Sequence, residues 1–234
     1  MAEGRPSARI RARVRCGETA DVHLRSVPRC AHDPFILPVM ANEVEIKFRI
    51  EDVRALIRRL RAAGFRLITK RTHEINALYD LPGQPLRKRG DLLRLRKYGS
   101  AWVLTHKAKG KVGRHKIRVE NETRVTDGAK MDAILRALKF RPTFRYEKFR
   151  AEWSDRKGHV VVDETPIGNF GEIEGPSRWI DKTARILGIR PENYITETYA
   201  GLFFSWKRRT RSRASEMTFK AIPRLGTKLT NKSF

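Results

Sequence analysis

EVEIKFRI, residues 43–50, is a strict alternation of charged and apolar side chains. Successive side chains of a β-strand point to opposite faces of the sheet, so such a strand has one charged and one apolar face. The charged face holds Glu43, Glu45, Lys47 and Arg49, and the apolar face holds Val44, Ile46, Phe48 and Ile50. The pattern predicts a strand that is buried on its apolar side.

The net charge of the chain points to an anionic partner. The 234 residues contain 51 Lys and Arg against 26 Asp and Glu, a formal charge of +25. Nucleic acid, an acidic membrane surface and phosphorylated small molecules are the partners that such a field attracts. Residues 1–39 carry +3 and residues 207–234 carry +8, which leaves +14 for residues 40–206. The excess is therefore also a property of the central region.

The two ends of the chain lack the patterning of the centre. Residues 1–39 show neither helical nor strand periodicity, and we expect them to be disordered or an upstream extension of a gene that starts at Met40. Residues 207–234 are predicted to form a basic disordered tail, able to attract RNA or DNA. Residues 40–206 are predicted to be the folded domain.

Cysteine content and hydropathy favour a cytoplasmic protein without a membrane partner. The chain has two cysteines and no apolar run near the ~18 residues of a membrane-spanning helix. The spacing of Cys16, His23, Cys30 and His32 fits none of the usual structural zinc patterns. We consider a homodimer as one oligomeric state, although the sequence does not establish it.

The central region predicts an α+β fold with an antiparallel sheet. Strand patterns occur in runs, with helices inserted between the runs rather than after each strand. About eight strands are predicted, at residues 43–50, 67–81, 91–97, 101–107, 116–125, 144–153, 159–163 and 170–174. Three amphipathic helices are predicted, at residues 51–63, 127–138 and 177–187, the second capped by Asp127 and the third by Ser177. Residues 194–206 are apolar enough to pack back on the domain.

Charged residues recur at alternate positions in most of these strands. The basic ones are Lys47, Arg94, Arg96, Lys107, Arg118, Lys148 and Arg150, and the acidic ones are Glu43, Glu45, Glu122, Asp163, Glu172 and Glu174. A solvated sheet face is the ordinary explanation for one strand, but solvated faces usually mix polar residues with both charge signs. If the sheet closes into a barrel, the charged faces converge inside and the apolar faces lie outside, under the helices.

A barrel interior of this kind predicts a phosphate-binding site. A cavity lined by cations must hold water and an anion. Arg and Lys donate charge-assisted hydrogen bonds to phosphate oxygens, and Mg²⁺ typically binds one or two carboxylates together with substrate phosphates. A triphosphate linked to the carboxylates by Mg²⁺ or Mn²⁺ would satisfy both sets of residues.

The ordered set of charged positions resembles the CYTH superfamily, the triphosphate tunnel metalloenzymes. Glu43-x-Glu45-x-Lys47 matches the ExExK signature of that family, and the match extends over roughly residues 40–199. The resemblance implies an eight-stranded antiparallel β-barrel, or triphosphate tunnel, with about three helices packed outside. It also implies that the seven basic residues bind phosphates and that Glu43, Glu45, Glu172 and Glu174 bind metal with help from Glu122. We group Asp163 with this acidic set.

Members of that family include class IV adenylyl cyclases and thiamine or inorganic triphosphatases. Hydrolysis of a nucleoside, inorganic or thiamine triphosphate is the favoured activity, with conversion of ATP to cyclic AMP and pyrophosphate as the alternative. Cyclisation needs a site for adenine and ribose, and the residues considered for it are Tyr79, Trp102, His73 and His106. A nucleic-acid-binding or polyphosphate-binding protein without catalysis is the alternative from another class.

Overall fold

The computed structural model describes residues 43–223, so the predictions for residues 1–39, Met40 and the two cysteines lie outside the described residues. The strands are β1 (Glu43–Ile50), β2 (Arg66–Asp80), β3 (Leu92–Tyr98), β4 (Ala101–Lys107), β5 (Lys111–Val112), β6 (Lys116–Arg118), β7 (Glu120–Val125), β8 (Arg141–Ser154), β9 (His159–Thr165) and β10 (Gly168–Glu174). The helices are α1 (Val53–Ala62), α2 (Pro85–Arg89), α3 (Gly128–Ala137), α4 (Ser177–Ile186) and α5 (Tyr199–Thr210), with a 3₁₀ turn at Pro191–Asn193.

The strands form one antiparallel sheet that is nearly closed into a barrel. Their spatial order is β5-β6-β1-β10-β9-β8-β2-β3-β4-β7. β6 and β7 follow each other along the chain with only Val119 between them; β6 pairs with β1, and β7 pairs with β4. The segment 116–125 therefore connects the two edges of the sheet and completes the wall.

The predicted antiparallel barrel is confirmed, but the predicted number of eight strands is wrong. Two details account for the ten observed. The segment 116–125, predicted as one strand, is interrupted at Val119, and the two-residue strand β5 pairs with β6. Without these two details the wall has the eight strands expected from the alternation pattern.

The three predicted helices are present, with one wrong capping residue. Asp52 and Asp127 cap α1 and α3, because their side chains accept hydrogen bonds of 3.0 Å from the backbone N–H of Ala55 and Lys130. Ser177 does not cap α4. Pro176 occupies the N-cap position, and Ser177 is the first helical residue.

The apolar outer faces of the strands are covered by helices. Leu60 of α1 and Ile180 of α4 are fully buried against β1, β9 and β10, where Ile173 is also fully buried. Leu135 of α3 packs against Leu95 of β3 in a separate cluster. Burial of these faces aims the alternate, charged residues of the same strands into the barrel.

One end of the barrel interior is apolar. Phe144, Tyr146 and Phe170 occupy the same alternate positions as Lys148 and Glu172, and they form a buried cluster with residues of α5 and of the segment after it. Helices α2 and α5 were not predicted as helices; the sequence indicated only that residues 194–206 pack on the domain. Because aromatic side chains fill this end, the charged interior is confined to the rest of the barrel.

The predicted disorder from Lys207 onward is wrong for residues 207–223. Helix α5 continues to Thr210, and Met217 is fully buried in the aromatic cluster. The backbone N–H of Met217 donates to the carbonyl of Arg145, and its own carbonyl accepts from the N–H of Glu147, at 3.0 and 2.9 Å. Residues 224–234 lie outside the described residues.

None of the helices within residues 43–223 is long and apolar enough to span a bilayer.

Burial of Met217 predicts that residues 211–223 contribute to folding. Met217→Ala is expected to lower the free energy of unfolding by about 2–5 kcal/mol, as for other buried Met, Leu or Ile residues cut back to Ala. Urea unfolding of the full chain measures this. Ser215→Ala, at an exposed position two residues earlier, is the matched control and should change the value by less than about 0.5 kcal/mol. Equal effects of the two substitutions would show that the segment does not pack on the barrel.

Candidate active site: a charged cavity inside the barrel

The alternate charged residues surround a cavity of about 450 Å³. This volume lies within the ~300–1,000 Å³ typical of small-molecule sites. Eleven Lys and Arg residues line it, namely Lys47, Arg94, Arg96, Lys107, Lys116, Arg118, Arg124, Lys148, Arg150, Arg156 and Lys157. Six glutamates line it too: Glu43, Glu45, Glu120, Glu122, Glu172 and Glu174. The structure thus brings together all seven basic residues proposed to bind phosphate and five of the six acidic ones; Asp163 is the exception.

Strand β1 contributes two glutamates that form ion pairs with cations of β4 and β6. Both carboxylate oxygens of Glu43 accept from Lys107 Nζ, at 2.6 and 2.7 Å, and Arg118 Nε donates to Glu43 at 3.2 Å. Lys116 Nζ lies 3.1 Å from Glu45 Oε1. Lys116 was not in the predicted set, although it shares a strand face with Arg118.

Strand β7 supplies two further glutamates. Glu122 accepts hydrogen bonds from Arg96 at 3.1 Å and from the hydroxyl of Thr105 at 2.9 Å, and it therefore positions the arginine. Glu120 lies 2.8 Å from Lys107 Nζ, which places it beside Glu43. The predicted acidic set omitted Glu120; the spacing Arg118-x-Glu120-x-Glu122 was the signal that could have included it.

Glu174 is the one cavity glutamate for which the described residues provide no ion pair within 4 Å. Burial, together with the carboxylates of Glu43, Glu45 and Glu120, raises the pKa of Glu174 to about 8. The ammonium group of Lys107 opposes this rise in pKa, but only in part. A further negative charge beside these carboxylates is unfavourable, so the carboxyl group of Glu174 favours its protonated form at neutral pH when no other cation is near.

A cluster of carboxyl groups is chemically suited to a hard divalent cation, which prefers oxygen ligands and favours their ionised form. Glu43, Glu45 and Glu174 are the residues that fit this role. Within the described part of the chain, however, no three carboxylate, imidazole or thiolate groups already form a metal-coordinating cluster. Lys107 and Lys116 occupy oxygens of Glu43 and Glu45, so these lysines would have to move when a metal ion binds.

Lys47 and Glu172 form a buried pair on adjacent strands β1 and β10. Lys47 Nζ lies 2.9 Å from Glu172 Oε1, and Arg150 also contacts Glu172. Burial opposes ionisation of both partners, but Lys47 and Arg150 hold the pKa of Glu172 well below its usual range. Glu172, followed by Glu45, outweighs burial and raises the pKa of Lys47. Both side chains are therefore charged at neutral pH.

Asp163 lies behind the cavity wall and anchors cavity cations. It is fully buried, and Lys148 Nζ and Arg150 Nη2 donate to it at 3.0 and 2.6 Å. The hydroxyl of Tyr199 donates to the same carboxylate at 2.6 Å. Because three donors already occupy it, we assign Asp163 to positioning of Lys148 and Arg150 rather than to metal binding.

Tyr199, the first residue of α5, lies beneath two of the cavity lysines. The ammonium groups of Lys47 and Lys148 are 4.9 and 4.7 Å from the centre of its ring, a distance typical of cation–π interactions. Burial and the neighbouring Asp163 raise the pKa of the Tyr199 hydroxyl, so the group stays a hydrogen-bond donor. Strand alternation could not identify this residue because it lies on a helix.

Strand β2 contributes Glu74, which was absent from the predicted set. Glu74 is fully buried, with Lys148 Nζ at 3.4 Å and the guanidinium groups of Arg96 and Arg150 both at 3.9 Å. These cations overcome the effect of burial and lower the pKa of Glu74. The Glu74-x-Asn76 spacing was a signal, but it lies within a long strand of mixed composition.

The four residues considered for adenine and ribose do not line the cavity. Tyr79 donates to Asp132 of α3, and Trp102 lies against Gly128 of the same helix. His73 stacks on Phe149 outside the barrel, and His106 alternates with the inward-facing Thr105 and Lys107. The aromatic residues that do line the cavity, within the described range, are Tyr146, Tyr199 and His159.

Comparison with known proteins agrees with this geometry. A family model described as "CYTH domain" matches residues 41–199. A protein of Methanocaldococcus jannaschii named as a candidate adenylate cyclase is 25% identical over 171 residues, covering 68% of this chain and 97% of its own length. The similarity therefore extends over nearly the whole length of that relative.

Two solved structures share the fold. One is a candidate adenylate cyclase of Vibrio parahaemolyticus, with a TM-score of 0.63 at 16% identity, covering 69% of this chain and 97% of that one. The other is a candidate adenylyl cyclase of Hippeastrum described as having a dominant triphosphatase activity. Its TM-score is 0.53 at 19% identity, and the match covers 70% of this chain and 95% of that one.

Asp163 is predicted to be required for folding. Asp163→Ala removes the buried carboxylate that pairs with Lys148 and Arg150. Removing one partner of a buried ion pair typically costs about 3–5 kcal/mol of stability. Glu216→Gln is the control, because it removes an exposed ion pair with Arg145 that is worth about 0–1 kcal/mol. Urea unfolding measures both. A loss no greater than that of the control would show that the charges around Asp163 are not held as described.

The His159–Glu152 pair near the cavity entrance predicts a pH-dependent contribution to stability. His159 Nδ1 lies 2.9 Å from Glu152 Oε1, and this contact raises the pKa of His159 against the opposing effect of burial; Glu174 and Asp155 act in the same direction. A raised histidine pKa stabilises the fold below about pH 6.5, and the contribution is lost as the pH rises through the raised value. Glu152→Gln should therefore cost more stability at about pH 6 than at about pH 9.

The control for this pair is the same substitution in a His159→Gln background, where the loss should no longer depend on pH. Urea unfolding at the two pH values measures the difference. An equal loss at both values in the native background would mean that His159 is not charged in the folded protein.

Proposed function

The chain belongs to the CYTH family, whose members are adenylyl cyclases or triphosphatases that bind triphosphate substrates and use divalent metal ions, and we propose that it hydrolyses the terminal phosphate of a triphosphate held inside the barrel. The observation that carries the proposal is the cavity lining, where eleven Lys and Arg residues face six glutamates. The excess of cations matches the charge of a triphosphate. The carboxyl groups of Glu43, Glu45 and Glu174 suit a metal ion, whose positive charge would favour the ionised form of Glu174.

Lys47 and Arg150 are suited to phosphoryl transfer because they are held in place by ion pairs and stay charged. Neighbouring carboxylates outweigh burial and raise the pKa of Lys47 and Arg150. Phosphoryl transfer needs little covalent help from the protein; it needs alignment of the attacking water and neutralisation of charge on the phosphate oxygens. Arginines bound to Asp163, Glu122 and Glu172 are held in place before the substrate arrives, so they lose little freedom on binding it.

Glu43, Glu45 and Glu174 are the residues that would hold Mg²⁺ or Mn²⁺. When bound there, a divalent ion supplies charge neutralisation and lowers the pKa of a water molecule. The protein's own contribution is that Lys107 and Lys116 leave Glu43 and Glu45 and bind phosphate oxygens instead. The two glutamates then become free to bind metal.

Hydrolysis is favoured over cyclisation because the rings of the two tyrosines that line the cavity are already in contact with other side chains and are not free to stack on adenine. Both lysines described above lie over the ring of Tyr199, and Tyr146 stacks against the same residue at 5.8 Å. The triphosphatase activity of the Hippeastrum protein supports hydrolysis. The names of the Methanocaldococcus and Vibrio proteins support adenylyl cyclase activity as the second proposal.

Product analysis distinguishes these activities. The full chain is incubated with ATP, inorganic triphosphate or thiamine triphosphate, with Mg²⁺, with Mn²⁺ or with EDTA. Phosphate release from at least one substrate, dependent on the metal, is expected. Cyclic AMP together with pyrophosphate from ATP would support the cyclase, and no turnover of any of the three would contradict both enzymatic proposals. The cytoplasmic location stays a prediction, and the homodimer stays one oligomeric state under consideration.

The double substitution Glu43→Gln and Glu45→Gln tests the acidic wall. Loss of two carboxylates that bind the metal directly should lower kcat/KM by at least about 100-fold, more than the roughly 10- to 100-fold typical of residues that only support a ligand. Glu51→Gln, an exposed glutamate just after β1, is the control and should keep full activity. Urea unfolding of both variants separates loss of activity from loss of folding. A folded double variant with normal activity would rule out a metal site at these residues.

A further inference from the structure

A second cavity lies outside the barrel, between helices α2 and α5. It is an open groove of about 680 Å³. Four basic residues line it, Arg87 from α2 and Lys207, Arg208 and Arg211 from the end of α5, together with Phe204 and a single carboxylate, Glu197. Composition alone predicts that the basic residues after position 206 belong to a disordered tail, and the structure instead places Lys207, Arg208 and Arg211 along one wall of this groove.

Barrel cations such as Lys47, Lys107 and Arg150 pair with carboxylates, whereas the four cations of the groove have no such partner among the described residues. Within residues 43–223, none of the four forms an ion pair within 4 Å. Arg87 donates to the side-chain carbonyl of Gln84 at 3.1 Å, and Arg208 donates to the hydroxyl of Ser205 at 3.2 Å. Both guanidinium groups keep further donors available for an anion.

Phe204 adds an aromatic surface to the groove. Its ring packs on Phe144 and Phe203 at centroid distances of 5.8 and 5.4 Å, and the guanidinium of Arg87 lies 5.6 Å from its centre. The ring is only half-buried. A basic groove that contains an aromatic side chain is the combination used to bind single-stranded nucleic acid, in which cations contact phosphates and rings stack on bases.

The small free energy of each exposed ion pair favours a polymer over a small phosphate compound as the ligand of this groove. Each exposed ion pair contributes only about 0–1 kcal/mol, so four of them hold a small anion weakly. A nucleic acid strand gains from every phosphate it places near a cation, and the basic surface continues past the groove. Lys88 follows Arg87, and Arg209 and Arg213 flank Arg211, all of them exposed, whereas the neighbouring Arg89 pairs with Asp91 at 3.1 Å.

We propose that the α2–α5 groove binds single-stranded nucleic acid, with phosphates on its four basic residues and a base stacked beside Phe204 and Arg87. This activity is separate from turnover in the barrel and does not depend on the proposed catalytic function. The ordinary alternative is that basic residues in the last turns of α2 and α5 only stabilise the helix ends, where the backbone dipole is negative.

Binding of a fluorescein-labelled RNA of about 12 nucleotides to the full chain tests the proposal by fluorescence anisotropy. The RNA carries a 5′-hydroxyl group, and the buffer contains EDTA and excess inorganic triphosphate, so that the barrel cavity does not contribute. Arg208→Glu with Arg211→Glu should weaken binding by at least tenfold. Between about 50 and 200 mM salt, the slope of log K against log salt should shrink by roughly 1.4, or about 0.7 for each lost phosphate contact.

The matched control is Arg54→Glu with Arg58→Glu, which makes the same change of net charge at exposed positions on α1. It should leave affinity within about twofold. Phe204→Leu, which keeps an apolar side chain, should weaken binding several-fold if a base stacks there. The proposal would be overturned if the two charge-reversal variants lost the same affinity for RNA. It would also be overturned if inorganic polyphosphate bound as tightly as RNA and Phe204→Leu had no effect.

Discussion

Charge neutralisation inside a closed wall is the constraint on which this structure depends. An unpaired ammonium or guanidinium group buried in a protein costs several kcal/mol, so each inward-facing cation needs a carboxylate on a neighbouring strand. The strand register provides it: Lys47 lies opposite Glu172, and Arg150 lies opposite Asp163. The pairing that makes the interior stable in the absence of substrate is also the pairing that a bound triphosphate must replace.

The period-two pattern of the strands is what made much of the site predictable from sequence. A residue that alternates with buried apolar neighbours has to face the interior, so the pattern alone places Lys47, Arg94 and Glu172 there. The same logic missed Glu74, whose strand mixes polar and apolar residues on both faces. It also included Asp163, which faces inward but lies behind other side chains. Alternation gives the direction of a side chain, whereas its depth depends on the neighbours that cover it.

The C-terminal part of the chain was the least predictable. Polar and basic residues after Trp206 predict disorder by composition, but Met217 and Ile222 are buried among the aromatic residues at one end of the barrel. Two well-placed apolar residues are enough to fix such a segment when a complementary surface exists, and a single sequence does not show that surface. Helix α5 consequently faces two environments, with Tyr199 under the cavity lysines and Phe204 in the outer groove.

The interruption at Val119 leaves a short junction between β6 and β1 in the barrel wall. Strand β6 pairs with β1 over three residues, whereas β10 pairs with the other edge of β1 over six. Three ion-pair contacts, Glu43–Arg118, Glu45–Lys116 and Glu45–Arg118, reinforce this short junction across the wall. If the proposed function is correct, a phosphate group bound by Arg118 and Lys116 would compete with these ion pairs, while the backbone pairing of the junction stays in place. Binding of substrate and opening of the barrel wall would then be coupled, because the same cations join β6 to β1 and bind the phosphates.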